Sequence, residues 1–256
     1  VVGNRVQGKI AIVTGSTSGV GKGVAVRLAS EGASVVVSGR NEASGNAVVD
    51  GIRANGGTAI FVRTDLTRED DCRNLVETTV RTFGRLDVLV NNAGIFPRGT
   101  LETTTEALWD EIFAVNAKGP FFCCKYAIPY MQRQQSGSVI NVGSGNGYCG
   151  APNLLAYSAS KGALLTMTRN LARAYARDHI RVNWLTTGWV LTEGEVAVHE
   201  KEGHSKEWLI EQGAKQPFGR LMTPADIANG VLFLASDEAE FVSGAELPVA
   251  GGPSIR

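Results

Sequence analysis

Short apolar runs and amphipathic stretches alternate along the whole chain. Lys9 to Val13 is a continuous apolar run rich in β-branched residues that stops at Thr14-Gly15-Ser16-Thr17-Ser18-Gly19-Val20-Gly21, the pattern of a buried strand entering a glycine-rich turn. From Val20, Val24 and Leu28 with Ala25 and Ala29 recur at helical spacing until Glu31-Gly32 ends the helix. Ser34 to Ser38 reads as a second buried strand, so Gly8 to Arg40 has the length of one βαβ crossover. The alternation then repeats. Ala43 to Ala54 predicts a helix, Ala59 to Arg63 a strand, Arg68 to Phe83 a helix, and Leu86 to Val90 a strand running into Asn91-Asn92-Ala93-Gly94. A long helical region from Thr105 to Gln134 follows, with a bend expected at Gly119-Pro120 because proline lacks a donor and crowds the preceding turn. Ser138 to Val142 predicts a strand, Asn153 to Asp178 a helix and Ile180 to Leu185 a strand. Pro224 to Ala235 returns to a helix capped by Thr223, and Ala245 to Val249 closes as a strand. One stretch breaks the pattern. Residues 192–216 are charged and lack a regular apolar stripe, and are expected to form a substrate lid.

About seven strand and helix alternations without a break in composition predict an α/β fold: one domain over residues 1–256, a doubly wound, Rossmann-like parallel sheet with helices on both faces. Ligands of such sheets lie beyond the carboxyl ends of the strands. Thr14-Gly15, Asp65, Asn91-Asn92, Gly143-Ser144 and Thr186 to Gly188 each follow a predicted strand, so five loops converge on one edge.

Composition narrows the classes. The 256 residues carry 25 basic and 25 acidic side chains, a balance with no electrostatic footprint for nucleic acid. The apolar runs fall far short of the ~20 residues that span a bilayer, and no signal pattern precedes Gly8-Lys9-Ile10, so a cytoplasmic location is expected. Cys72, Cys123, Cys124 and Cys149 lack metal-like spacing and read as reduced and structural. His199 and His204, five apart among Glu200, Lys201 and Glu202, read as a solvated face, and no metal is expected.

Gly15, Gly19 and Gly21 stand where a tight turn lets a helix N-terminus face a pyrophosphate. The second strand ends in Ser38-Gly39-Arg40, without the carboxylate that holds ribose hydroxyls. A guanidinium there pairs with a 2′-phosphate, which favours NADP, with NAD possible. Asp65 is placed to meet an adenine amine or to cap the next turn. Tyr157 and Lys161, four apart, share a helical face with Cβ atoms roughly 6 Å apart. A tyrosine with an ordinary pKa near 10 carries protons poorly at neutral pH until a cation stabilises its anion, and Lys161 is placed to do so. Ser144 is placed to hydrogen-bond a substrate oxygen. On this spacing alone, a surface tyrosine beside a chance lysine is the plain alternative.

Taken jointly, Thr14-Gly15-x-x-x-Gly19-x-Gly21, Asp65, Asn91-Asn92-Ala93-Gly94, Asn116 in Val115-Asn116-Ala117-Lys118-Gly119, Ser144, Tyr157-x-x-x-Lys161 and Val182-Asn183 resemble the short-chain dehydrogenase/reductase (SDR) family over roughly residues 8 to 252. The resemblance implies a catalytic set of Asn116, Ser144, Tyr157 and Lys161. In that set Tyr157 is the general acid/base, Lys161 lowers its pKa and binds the nicotinamide ribose, Ser144 orients the substrate oxygen and Asn116 holds a relay water. The implied cofactor set is Gly15, Thr17, Ser18, Gly19, Val20, Gly21, Arg40, Asp65, Leu66, Asn92, Ala93, Gly94, Gly188, Val190 and Thr192, with Tyr157 and Lys161; Asn92 and Gly94 would lie toward the adenosine. Ser144, Gly145, Asn146, Leu154, Tyr157 and Trp189 are the expected substrate contacts, and a homotetramer or homodimer the expected assembly.

The sequence departs from the family pattern at three places. Thr187 replaces a proline, which is expected to loosen the turn after the sixth strand. Ala250 stands where an aspartate is common, and Pro248 predicts an edge position for the last strand. The expected activity is NAD(P)-dependent interconversion of a secondary alcohol and a carbonyl. The charged lid tilts the substrate toward a small polar molecule: a sugar, polyol or hydroxy acid. Arg133 and Arg173 keep a 3-oxoacyl carrier-protein reductase as an alternative, as a rim for an acidic carrier. A non-catalytic dinucleotide sensor or scaffold is the reading from another class, and it would need neither Tyr157 nor Lys161.

Overall fold

The structure, a computed structural model, describes residues 4–252. Seven parallel strands form one sheet in the order β3-β2-β1-β4-β5-β6-β7. They are β1 (Ile10–Val13), β2 (Ser34–Gly39), β3 (Thr58–Arg63), β4 (Val88–Asn91), β5 (Gly137–Ser144), β6 (Ile180–Thr187) and β7 (Glu246–Val249). Helices α1 (Gly19–Ser30), α2 (Glu42–Ala54) and α10 (Pro224–Ala235) cover one face, where Val24, Leu28, Val48, Ile52, Ile227 and Val231 join one buried cluster. Helices α3 (Glu69–Phe83), α5 (Gly119–Gln134) and α7 (Leu155–Ala174) cover the other, with Leu75, Cys123, Ile128 and Met131 in a second. Burial on both faces explains why the central strands read as unbroken apolar runs. The strand order reverses between β1 and β4, and a crevice opens there at the carboxyl ends.

Pro248 sits in β7 at the sheet edge, opposite Thr186, as its missing donor requires. The bend near Gly119-Pro120 has a different origin from the one expected. Helix α4 (Glu106–Phe113) passes into a π-turn over Ala114–Lys118 before α5 begins, and Pro120 lies in the first turn of α5, where a missing N–H costs little. The 192–216 segment, irregular by pattern, folds as α8 (Glu193–Lys201) and α9 (Lys206–Ala214), capped by Thr192 and Ser205. Between β5 and α7 a short turn of helix, α6 (Asn146–Cys149), interrupts the glycine-rich loop. Among the described residues no helix is long and apolar enough to cross a membrane.

Two readings of isolated residues are corrected. Cys72, Cys123 and Cys124 are buried, but Cys149 is exposed on α6 and packs no core. His199 is buried, not solvated: it lies among Glu195, Glu202, Trp189 and Trp208. The signal was tertiary, since Trp189 and Trp208 reach His199 from outside its own helix.

Gly143, next to the last residue of β5, lies under the indole of Trp184, and a Cβ there would overlap the Trp184 ring. Trp184 is fully buried and donates from Nε1 to Thr186 Oγ1 at 2.8 Å, so it has little room to yield. Gly143→Ala is expected to cost about 2 to 3 kcal/mol, read as a lowered urea midpoint at unchanged slope.

Candidate active site

The crevice is a cleft of roughly 430 Å³ running from the turn after β1 to the start of α7. Its first wall is the glycine turn. Gly15 and Gly19 hold φ of +64° and +53°, a region costly for a side chain, and a Cβ on Gly21 would collide with Gly15 O. Ser18 makes no side-chain cap on α1, which leaves the helix's first N–H groups free toward the cleft. The Thr14 hydroxyl accepts from Asn92 N at 3.0 Å and Ala93 N at 3.1 Å, and Asn92 Nδ2 donates to Thr14 O at 2.9 Å. These bonds clamp the loop after β4 to the turn after β1. Ser16 Oγ similarly accepts from Ser38 N at 2.9 Å, tying the turn to β2. Thr14 entered the sequence reading only as the first residue of the glycine motif, and Ser16 not at all as a site residue; both act by holding the turn rather than by facing the cleft.

Gly15, Thr17, Ser18, Gly19, Val20, Gly21, Arg40, Asp65, Leu66, Asn92, Ala93, Gly94 and Thr192 all line the cleft, together with Tyr157 and Lys161. Asp65 both faces it and caps its own turn, accepting from Thr67 N and Oγ1 through Oδ1. Burial acts to raise the Asp65 carboxyl, but the Thr67 bonds and the charges of Arg40 and Arg63 hold it below its usual value. That coupling places Arg40 and Asp65 together at one end. Gly94 stands near Asn116 and Lys161: a Cβ on it would be 3.4 Å from Asn116 Oδ1 and 3.5 Å from Lys161 Nζ.

The catalytic end is built by three elements. Tyr157 and Lys161 project from α7, with Lys161 Nζ 5.8 Å from the Tyr157 ring centre and Phe96 edge-on to that ring at 6.2 Å. Lys161 Nζ donates to Val142 O at 2.9 Å. The π-turn carries Asn116 inward, fully buried, where it grips the loop after β4: Oδ1 accepts from Ile95 N at 2.9 Å and Nδ2 donates to Ile95 O at 2.8 Å. Asn116 Nδ2 also donates to Ser160 Oγ at 3.1 Å, and Ser160 bonds Tyr157 O at 2.7 Å. Ser160 thus joins the site unpredicted, since nothing in an Ala-Ser-Lys run distinguishes it. Ser144 lies at the end of β5, where its Oγ accepts from Asn146 N at 3.2 Å.

Burial raises the Tyr157 phenol above its ordinary value; the Ser144 hydrogen bond opposes this and the charge of Glu195 adds to it. Burial lowers Lys161 to about 8. The lysine's presence is therefore not expressed as a depressed tyrosine. A buried ammonium with one carbonyl partner and a phenol kept protonated form a proton-donating pair.

Other expected contacts lie elsewhere. Leu154 is buried and bridges to Gly99, Val190 bridges to Met222, and Gly188 N bonds Val249 O, so these residues anchor the loop ends. Gly145 and Asn146 stand at the start of α6, and with Ser144 they lie just beyond the cleft lining, which reaches Gly143 on β5. Trp189 lines not this cleft but a second cavity of roughly 380 Å³ with Phe218 and Met222, and donates from Nε1 to Glu195 Oε1 at 2.6 Å. Thr187 does not loosen the strand end. It remains in β6 and donates from Oγ1 to Gly143 O at 2.9 Å, which replaces the stiffness of a proline by a tie to β5.

The cleft fits a dinucleotide: a side-chain-free cradle at uncapped helix N–H groups suits a pyrophosphate, and Arg40 suits a phosphorylated ribose.

Comparison with known proteins agrees. Residues 15–254 match the family described as Enoyl-(Acyl carrier protein) reductase. An uncharacterised oxidoreductase of Thermotoga maritima is 42% identical over 96% of this chain and 97% of its own. A 2,5-dichloro-2,5-cyclohexadiene-1,4-diol dehydrogenase of Sphingobium indicum is 38% identical over 98% of both chains. A crystal structure assigned as an NAD(P)-dependent gluconate 5-dehydrogenase of Beutenbergia cavernae, with bound NADP, superposes with a TM-score of 0.89 at 35% identity over 98% of both chains. With the strand order, the glycine cradle and the Tyr157 and Lys161 pair already in place, these matches mean that the chain belongs to the short-chain dehydrogenase/reductase family of oxidoreductases.

Proposed function

We propose that the chain interconverts a secondary alcohol and a carbonyl with NADP as the preferred cofactor, on a small polar substrate. The observation that carries this reading is the placement of a half-buried phenol and a buried ammonium in the same cleft as the glycine cradle. Gly15, Gly19 and Gly21 would hold the pyrophosphate, Arg40 the 2′-phosphate, Asp65 the adenine and Lys161 the nicotinamide ribose; the bound nicotinamide supplies or accepts hydride.

In the reducing direction Tyr157 gives its proton to the carbonyl oxygen, while Ser144 holds that oxygen by a hydrogen bond. Burial that keeps the phenol protonated suits it to donate. Lys161, turned to Val142 O and beside Gly94, stabilises the phenolate that forms. Asn116 keeps the Ile95 loop and, through Ser160, the turn of α7 that carries Tyr157 in fixed register. The 192–216 segment serves as the lid. Its Thr192 and Gly194 border the cleft, and Glu202 bonds Arg98 at 3.1 Å across to the loop after β4.

Cofactor preference has its own test. Arg40→Ala is expected to raise the KM for NADPH at least about tenfold while leaving that for NADH nearly unchanged, because only the 2′-phosphate loses a charged partner. Equal effects on both would remove the assignment. Trp109 stacked on Phe113, with half-exposed Phe121, leaves an apolar surface on α4 and α5 that fits a homodimer or homotetramer, and sedimentation as a single chain would contradict it.

A further inference from the structure

The short helix α6 lies between the strand end that carries Ser144 and the helix that carries Tyr157 and Lys161. None of its 4 residues is buried, so packing alone does not fix it. Its tie to the sheet is Tyr148. The Tyr148 and Thr186 hydroxyls meet at 3.0 Å, and the Tyr148 ring stands edge-on to the indole of Trp184 with centres 6.2 Å apart at 78°. Trp184 Nε1 donates to the same Thr186 oxygen at 2.8 Å, which leaves the Thr186 hydrogen available to Tyr148. Among the described residues this is the only hydrogen bond that an α6 side chain makes to another element, since Cys149 Sγ bonds only Gly145 O within the turn.

Both catalytic neighbours are reached from this turn through close contacts. Toward α7, a Cβ on Gly147 would stand 3.2 Å from Lys161 C and 3.3 Å from Lys161 Cβ, so α6 rests directly on the turn that carries the lysine. Toward β5, the Trp184 indole that seats Tyr148 lies against Gly143, the residue before Ser144. The bond from Asn146 N to Ser144 Oγ, at 3.2 Å, comes from the first residue of α6. Because that serine oxygen accepts from α6, its own hydrogen is kept for a substrate oxygen. A displaced α6 would withdraw the N–H that orients the hydroxyl.

We propose that Tyr148 is a positioning residue: bonded to Thr186 and seated on Trp184, it holds α6 in place and so aims the Ser144 hydroxyl at the substrate oxygen. The proposal rests on the role assigned to Ser144 above.

Two measurements test it. Tyr148→Phe removes one oxygen and keeps a ring on Trp184. In this variant the amides of Asn146 to Cys149 are expected to exchange with deuterated solvent at least about fivefold faster than in wild type, while those of β5 keep their rates. Unchanged exchange at α6 would overturn the proposal without need of a substrate. The second measurement is kcat at saturating cofactor, on the member of a secondary-alcohol panel that wild type turns over fastest. It is expected to fall about tenfold in Tyr148→Phe, with the KM for the cofactor within about twofold of wild type. In a Ser144→Ala background the same change is expected to cost less than about twofold, because no serine hydroxyl is left to aim. A loss from destabilisation alone would instead multiply with that of Ser144→Ala. Such multiplying losses, or wild-type kcat in Tyr148→Phe, would overturn the proposal and leave the reaction in place. Wild-type kcat in Ser144→Ala would remove the role of Ser144 itself, and the proposal with it.

Discussion

Tyr157→Phe is expected to lower kcat about 10³-fold with little change in cofactor affinity, because it removes one oxygen and nothing else. The ring keeps its edge contact with Phe96, and the cradle at Gly15, Gly19 and Gly21 is remote from it. The phenol oxygen is the part of Tyr157 proposed to act on the substrate, and burial, by raising its pKa, keeps it in the protonated form that a donor needs. Fluorescence titration with the reduced cofactor would show binding intact beside the lost turnover. Retention of wild-type kcat would mean that another group moves the proton.

Lys161→Met carries the second large effect, and activity and stability should move in opposite directions. Turnover is expected to fall at least about 10²-fold, since the cation that stabilises a developing phenolate is gone. Stability at neutral pH is expected to rise by up to roughly 3 kcal/mol, because Lys161 is buried with a single carbonyl partner and its pKa is lowered by burial to about 8. The sign follows from proton binding. Between about 8 and the ordinary value of 10.5 the unfolded chain holds a proton on this lysine that the folded chain has released, so wild-type stability rises with pH across that window. The advantage of the methionine variant should therefore be largest below pH 8 and fade toward 10.5. Urea unfolding of both proteins at several pH values reads this directly, and a variant less stable than wild type at neutral pH would contradict a penalty for the buried ammonium.

The β/α alternation was legible because strands buried on both faces must be apolar throughout, and the position of the cleft followed from where those strands end. Pro248 likewise announced its edge strand through a missing donor. The features that escaped depend on partners distant in sequence. The π-turn that aims Asn116 is stabilised by bonds to Ile95 and Ser160, neither of which lies within helical reach. The burial of His199 depends on Trp189 and Trp208, and the stiffness of Thr187 on Gly143 across the sheet. The charged 192–216 segment concealed its order for the same reason: its apolar contacts are aromatic and few, so no stripe formed along α8 or α9. Asn91, Asn141 and Thr168 form a buried chain of bonds at 2.8 Å beneath the Asn92 loop, which explains the paired asparagines as support as much as contact.

One cleft is expected to bring a nicotinamide to the carbon and the Tyr157 phenol to the oxygen of the same substrate carbonyl. A panel of secondary alcohols and their ketones, followed by the absorbance of the reduced nicotinamide with NADP and with NAD, tests it most directly when run in parallel on wild type and Tyr157→Phe. Wild type is expected to turn over small polar hydroxylated members of the panel, faster with NADP, and Tyr157→Phe to lose that turnover almost completely. Cofactor-dependent turnover that survives in Tyr157→Phe at the wild-type rate would contradict it.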